Sequence, residues 1–161
     1  MRKMCVFALA ALVLLGCVGC GSDPAEEPRE EFFFLWEDNL RITPGAEAAP
    51  ILETLGEPKG YTEEASCAFD GMDKTYDYGS FCLTTCPMEG KDYVYSLWFV
   101  DDTVSTPEGI RIGSTRAEVE AILGSDSISR NACRETRGNT RRIILLRDDV
   151  VYSVQYELLL D

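Results

Sequence analysis

A segment that occurs twice constrains the fold of this chain more than any other feature. Residues 42–56 and 110–124 align without a gap, and the matched pairs are Ile42 with Ile110, Gly45 with Gly113, Ile51 with Val119, Leu55 with Leu123 and Gly56 with Gly124. A second match, between residues 94–99 and 151–156, follows in the same order. Two ordered matches predict a tandem repeat with units at about 42–100 and 110–159.

Each copy of the repeated segment predicts a short helix. In residues 47–55 the apolar side chains recur at helical spacing, and Pro50 is tolerated because the first turn needs no amide donor there. In residues 116–123 the helix is preceded by Thr115, which has capping-box spacing to Glu118. Both helices are predicted to end at a glycine.

The residues that follow each helix predict antiparallel strands, because runs of β-branched and aromatic residues are separated by turn-forming residues. The predicted strands are 66–69, 75–78, 81–85 and 93–100 in the first unit, and 133–136, 140–147 and 150–159 in the second. In the fourth of these, alternation places Tyr95, Leu97 and Phe99 on one face and Val94, Ser96 and Trp98 on the other.

These elements predict an α+β fold in which two helix-plus-antiparallel-strand repeats share one sheet, with both helices on one face. The fold is predicted to begin at residues 32–36, where three phenylalanines, a leucine and a tryptophan precede a turn and residues 40–42. This aromatic run is interpreted as core and not as an exposed binding stripe. A single domain at 32–161 is therefore expected.

The first 16 residues have the parts of a secretory signal. Arg2 and Lys3 give a basic start, and the apolar run at 6–15 is too short to span a bilayer. Residues 1–16 are therefore predicted to be a leader that is removed.

The sequence Leu-Leu-Gly-Cys at 14–17 resembles the bacterial lipobox, which implies that Cys17 is diacylated and becomes the first mature residue. Cys20 is an alternative acceptor, and a secreted protein cleaved elsewhere is the alternative to lipidation. Acyl chains such as palmitate would hold the protein to the extracytoplasmic face of the cell membrane without a spanning helix. Residues 17–31 lack aromatic residues and are predicted to be a flexible acidic tether.

The charge of the chain disfavours two classes of partner. The formal net charge is −13 at pH 7, and loss of Arg2 and Lys3 with the leader would make it −15. A field of this sign repels nucleic acid and anionic lipid headgroups. Contact with the membrane is therefore expected only through the N-terminal lipid.

The pattern Ile-x-x-Gly followed by Val/Ile-x-x-x-Leu-Gly and strands resembles the repeat of beta-lactamase-inhibitor-protein-like domains and of small outer-membrane assembly lipoproteins of the BamE (SmpA/OmlA) type. Residues 66–76, 91–96 and 101–109 are also similar to an uncharacterised group of tandem-repeat bacterial lipoproteins. The resemblance covers nearly all of the chain after Phe32. It implies a fold of this type and protein binding through a concave sheet, and it carries over no binding residue.

Cys67 and Cys133 are predicted to form a disulfide, because they lie at similar distances after the two helix-ending glycines and so occupy equivalent first strands. Closing so long a loop typically stabilises a protein by about 2–4 kcal/mol. Cys82 and Cys86 lie four residues apart, or roughly 13 Å on an extended strand, so they can bridge only if Thr84 and Thr85 form a turn.

Few catalytic arrangements are compatible with this composition. The chain contains no histidine, which excludes serine–histidine and cysteine–histidine nucleophile pairs. A zinc site made from the four domain cysteines is a poor alternative, because a C-x-x-x-C strand is a weak half-site. The aspartate pairs 70/73, 101/102 and 148/149 lie beside turns, where aspartate is favoured for backbone reasons. We therefore predict no catalytic residue, no metal ligand and no cofactor.

The sequence favours a membrane-anchored, non-catalytic module that binds a protein or another envelope component. Trp98 stands where the second unit has Gln155, and this difference between the units marks Trp98, Tyr95, Tyr76 and Tyr78 as the predicted binding surface. One alternative is a thiol-active enzyme that uses Cys82 or Cys86, and another is a structural envelope component. The sequence leaves the ligand and the oligomeric state open.

Overall fold

We describe residues 30–37 and 40–160 of the protein from a computed structural model. The predicted leader, Cys17, Cys20 and the tether up to residue 29 lie outside the described residues. Within them, the elements are β1 (Phe34–Trp36), β2 (Leu40–Ile42), α1 (Ala48–Leu55), β3 (Gly60–Ala65), β4 (Met72–Asp77), β5 (Phe81–Met88), β6 (Lys91–Phe99), α2 (Arg116–Leu123), β7 (Ala132–Arg137), β8 (Thr140–Arg147) and β9 (Val150–Leu158).

Seven of the strands form one antiparallel sheet with the order β3-β4-β5-β6-β9-β8-β7. Tight turns explain the pairing of consecutive strands such as β5 with β6 and β8 with β9, because two-residue hairpins force consecutive strands to run antiparallel. Asp148 and Asp149 have φ values of 52° and 60°, and Glu89 and Gly90 have values of 50° and 80°, the left-handed conformation that such turns require. The matched segments in β6 and β9 are direct neighbours at the centre of the sheet.

A second layer covers one face of the sheet. It consists of the β1–β2 hairpin and the two helices, whose buried residues Ala48, Ile51 and Val119 belong to the same apolar core as the sheet. The ring of Phe34 lies 5.1 Å from that of Phe81 and 5.3 Å from that of Phe99. The prediction that the aromatic run at 32–36 is core is confirmed, because both Phe32 and Phe34 are buried.

Both helices lie where the sequence predicted them. In α2 the Thr115 side chain accepts a hydrogen bond from the Glu118 N–H at 3.3 Å, and the Glu118 carboxylate accepts one from the Thr115 N–H at 2.7 Å, so the capping box is present. Helix α1 begins after Glu47 without a side-chain cap. It ends at Gly56, whose N–H donates to the Leu52 carbonyl at 3.0 Å.

The predicted fold class is nevertheless wrong. Strands make up 47% of the structure and helices 12%, so the protein is mostly antiparallel β and is not an α+β fold of helix-plus-strand repeats. Each helix has eight residues and is about 12 Å long, whereas seven strands extend roughly 29 Å across the sheet. Helices of this length cannot form a layer over the sheet, and the β1–β2 hairpin completes the cover.

One strand was placed incorrectly from the sequence. Residues 66–69, predicted as a strand, belong to the loop between β3 and β4, and the Ser66 N–H donates to the Gly71 carbonyl at 3.0 Å. The strand lies earlier, at Gly60–Ala65, where all residues after Gly60 are exposed. Because an exposed edge strand of this kind does not alternate apolar with polar residues, the sequence pattern did not reveal β3.

A buried arginine links the second layer to the sheet. Arg142 on β8 is 1% exposed, and its guanidinium donates to Glu135 on β7 at 2.5 Å and to Glu108 in the loop before α2 at 2.8 Å. The same guanidinium lies 4.7 Å from the centroid of the Phe32 ring. Burial by itself would raise the pKa of Glu108, but the charge of Arg142 together with hydrogen bonds from Arg142, Thr106 and the backbone outweighs it and holds that pKa below its ordinary value.

Candidate binding face of the sheet

The face of the sheet opposite the core, which we call the open face, carries the candidate site. The helices and the hairpin in the described residues pack on the other face, so side chains that alternate with the core residues project away from them. Cross-strand pairing assigns the following residues to the open face: Asp73, Thr75 and Asp77 on β4, Cys82, Thr84 and Cys86 on β5, Ser96 and Trp98 on β6, Gln155 and Glu157 on β9, and Arg141, Ile143 and Leu145 on β8.

Trp98 lies at the centre of this face. It is half-buried, and its cross-strand neighbours are Cys82 on β5 and Gln155 on β9. Trp98 and Gln155, which occupy matching positions in the two sequence repeats, are therefore adjacent in the sheet. Because the two residues are directly opposite each other on neighbouring strands and share one face, any partner that contacts Trp98 is also within reach of Gln155.

A β-bulge brings Tyr95 onto the same face as Trp98. Thr84 pairs with Ser96 and Thr85 pairs with Val94, which leaves Tyr95 unpaired between them. Strict alternation predicted that Tyr95 would share a face with Leu97 and Phe99. That prediction is wrong, because the extra residue of a bulge shifts the side chains that precede it to the other face. Val94 occupies the core instead and is fully buried.

Tyr76 and Tyr78 do not belong to the open face. Tyr76 pairs with the fully buried Leu83, and the ring of Tyr78 stacks on Phe81 at 5.2 Å, so both tyrosines pack against the core. The structure therefore divides the four predicted binding residues. Trp98 and Tyr95 remain together, and the other two lie on the opposite side of the sheet.

The predicted disulfide between Cys67 and Cys133 is wrong. Both cysteines are free, with Cys67 exposed in the loop after β3 and Cys133 buried on β7. Strands β3 and β7 are the two opposite edges of the sheet, roughly 29 Å apart over six strand spacings. The error arose because the two halves of the sheet meet through their last strands, β6 and β9, and not through their first.

The environment of Cys82 and Cys86 disfavours a reactive thiol. Both are buried on β5, where residues 81–88 stay extended and Thr84 and Thr85 do not form the turn that a bridge between them requires. Burial raises the pKa of Cys82, and burial together with the Asp73 carboxylate raises the pKa of Cys86 to about 11. Nucleophilic cysteines require the opposite shift, toward a thiolate at neutral pH.

In two of the three aspartate pairs noted in the sequence, one aspartate accepts hydrogen bonds from a neighbouring side chain or backbone. Asp101 accepts hydrogen bonds from the N–H and the hydroxyl of Thr103, and these bonds lower its pKa. Asp149 accepts a hydrogen bond from Arg116 at 2.6 Å. Among residues 30–37 and 40–160, no three Cys, Asp or Glu side chains come together in a way that could hold a metal ion.

A small cavity at one end of the open face was not foreseen from the sequence. Its volume is about 140 Å³, and the side chains that line it include Cys67, Phe69, Asp73, Cys86, Tyr95 and Leu160. These residues come from the loop after β3, from three neighbouring strands and from the C-terminal segment. No local pattern groups them, although the run of turn-forming residues at 66–71 is a signal that a loop can fold over the sheet there.

Comparison of the chain with protein-family models, curated proteins and solved structures finds no match. The resemblance to beta-lactamase-inhibitor-protein-like and BamE-type domains therefore remains a prediction from sequence. Within the described residues, no helix is long and apolar enough to cross a membrane.

Proposed function

We propose that the protein is a lipid-anchored module of the bacterial envelope that binds a protein partner, without catalysis, through the open face. The observation that carries this proposal is the half-buried Trp98 at the centre of a sheet face that none of the described helices and neither strand of the β1–β2 hairpin covers, with Tyr95 on the same side. Tryptophan and tyrosine are enriched among the residues that dominate binding energies.

The size of the open face suits a protein partner. Seven strands give a width of roughly 29 Å, and about six residues per strand give a length of about 20 Å. The resulting area of roughly 600 Å² is close to the about 800 Å² that each partner contributes to a standard interface. The centre combines Trp98 with Cys82 and Ile143, while Arg141, Glu157 and other charged residues lie around it. An apolar centre with a polar rim is the usual anatomy of such interfaces.

The binding part of the proposal is tested with purified wild-type protein and two variants. Trp98→Ala removes the central side chain, and Ile122→Ala removes an exposed apolar side chain, 44% accessible, from α2 on the other layer. Native envelope extract is passed over each immobilised protein, and the affinity for any captured protein is then measured. We expect Trp98→Ala to weaken binding about 30-fold and Ile122→Ala to leave it unchanged. Equal capture by all three proteins contradicts the assignment of the open face.

The anchor is tested separately in intact cells with a clickable palmitate analogue. Cys17→Ser is expected to abolish acyl labelling and release the protein from the membrane fraction, while Cys20→Ser retains both. Unchanged labelling of the Cys17→Ser variant contradicts lipidation at this residue, and labelling lost only with Cys20→Ser assigns the anchor to the alternative cysteine.

A further inference from the structure

The cavity at the end of the open face is lined by residues from separate parts of the chain. The loop at 66–71 is held closed because the Ser66 hydroxyl oxygen accepts hydrogen bonds from the N–H groups of Ala68 and Phe69, each at 3.3 Å. The β-bulge places Tyr95 in the lining of the cavity from β6, and Leu160 contributes to the lining from the C-terminal segment. The result is a space of about 140 Å³ with two aromatic walls.

One carboxylate oxygen in this cavity has no partner. Asp73 Oδ1 is buried and has no hydrogen-bond partner among the described residues. A buried acceptor without a donor is unfavourable, and the great majority of such atoms in folded proteins are satisfied by protein, water or ligand. Asp73 is among the residues that line the cavity, so a donor bound there lies beside this carboxylate.

The local charge is also uncompensated. Glu64 on β3 is the direct cross-strand neighbour of Asp73, so two carboxylates lie side by side on the same face. None of the ion pairs among the described residues includes Asp73 or Glu64, and Lys74, next to Asp73 in sequence, projects to the other face and pairs with Asp92 at 2.6 Å. Like charges directly opposite each other are destabilising, and a cation bound beside Asp73 would relieve this repulsion.

From these observations we infer that the cavity binds a primary ammonium group carried on a short apolar stem. The ammonium supplies a positive charge and a hydrogen-bond donor beside the Asp73 carboxylate, while Phe69 and Tyr95 line the cavity with aromatic rings, whose faces attract organic cations. A cavity of about 150 Å³ holds a ring of six carbons, so the ligand has about six heavy atoms. A metal ion fits less well, because the described residues do not bring three Cys, Asp or Glu ligands together.

This inference does not depend on a partner at Trp98. The ammonium group belongs either to a free small amine or to a lysine side chain of a bound protein, and the two sources share one chemistry. The small-amine arm uses cyclopentylammonium as the probe and cyclopentanol as its neutral counterpart, and binding to the full chain is followed by NMR titration. The lysine arm uses a short peptide with one lysine and the same peptide with norleucine in its place.

Two matched substitutions test the carboxylate. Asp73→Asn removes the charge in the cavity, whereas Asp77→Asn changes an aspartate on the same strand and the same face that already accepts a hydrogen bond from the Gly79 N–H at 2.6 Å. We expect cyclopentylammonium to bind the wild type and Asp77→Asn alike, and Asp73→Asn to weaken binding by about tenfold or more. Asp73→Asn is also expected to fold, because it removes the repulsion with Glu64.

A second pair of variants tests the aromatic wall. Tyr95→Leu removes the ring from the cavity, and Tyr152→Leu alters the tyrosine at the corresponding bulge of β9, which lies outside the cavity. We expect a severalfold loss of affinity in the first variant only. The inference is overturned if cyclopentanol binds as tightly as cyclopentylammonium, if Asp73→Asn binds the probe as well as the wild type, or if neither the amine nor the lysine peptide binds, in which case water alone satisfies Asp73.

Discussion

Replacing Arg142 with methionine should destabilise the protein by about 3 kcal/mol. The side chain is 1% exposed and holds two carboxylates, those of Glu108 and Glu135. Removing one partner of a buried ion pair typically costs about 3–5 kcal/mol, because the remaining charge is left uncompensated. Here each remaining carboxylate side chain is 31% exposed and can regain contact with water, so the low end of that range applies. Methionine keeps most of the apolar stem, which limits the change to the loss of the guanidinium.

The measurement is urea-induced unfolding of the purified protein, followed by tryptophan fluorescence. With a slope of about 2 kcal/mol per molar, the midpoint should fall by roughly 1.5 M urea. The matched control is Arg141→Met, the neighbouring arginine on the same strand, which projects to the open face and pairs with Glu157 while 41% exposed. A partly exposed pair of this kind is worth about 1 kcal/mol or less.

A double-mutant cycle isolates the pairwise contribution. Combining Arg142→Met with Glu135→Gln should cost less than the sum of the two single changes, because the second substitution removes a charge that the first left unpaired. An Arg142→Met variant that loses no more stability than Arg141→Met, or additive effects of the substitutions at Arg142 and Glu135, would contradict this role of the buried ion pairs.

Three further outcomes follow from the described residues. In the native protein, iodoacetamide at neutral pH should label Cys67 and spare the three buried thiols. Burial and nearby carboxylates raise the pKa of two of these, Cys86 and Cys133, to about 11. Rapid labelling of Cys86, detected by mass spectrometry, would contradict this. Thr115→Ala should lower stability by about 1 kcal/mol in thermal unfolding, whereas Thr115→Ser should be close to wild type because it retains the capping hydroxyl. Because the pKa of Glu108 is lowered in the folded protein, its contribution to the free energy of unfolding is present above its unfolded pKa of about 4.5 and is lost as the pH falls through the folded value. Glu108→Gln should therefore have a lower urea midpoint than the wild type at pH 7, and the difference should shrink below pH 4.5. A difference that grows on acidification would contradict the direction of this pKa shift.

The helices and their ends could be predicted because they depend on neighbouring residues. Thr115 and Glu118 satisfy each other's backbone donors three residues apart, and Gly124 ends the helix because it adopts a φ of 97°. The class of the fold could not be predicted in the same way. Eight-residue helices give a strong sequence signal but contribute little to the structure, while the exposed edge strand β3 gives almost none.

The candidate site shows a sharper limit. Trp98 could be singled out as a candidate from the sequence, because the difference between two matched segments is visible in the chain itself. The cavity was not, since Cys67, Asp73 and Tyr95 come from a loop and two strands that only the sheet brings together. Tyr95 was assigned to the wrong face because a single unpaired residue in β6 reverses the alternation before it.

By itself, the sequence determined the local structure of this protein: the two helices, their glycine ends, the tight turns and the aromatic run that enters the core. Only the tertiary structure decided which strands are neighbours, which lie at the edges and which side chains share a face. Alternation defines two faces for each strand but carries no information about partners, and the pairing of β6 with β9 joins residues such as Trp98 and Gln155 that are far apart in the chain. That pairing separates Cys67 from Cys133 and leaves the open face, with its carboxylate-lined cavity, as the place where this protein is expected to act.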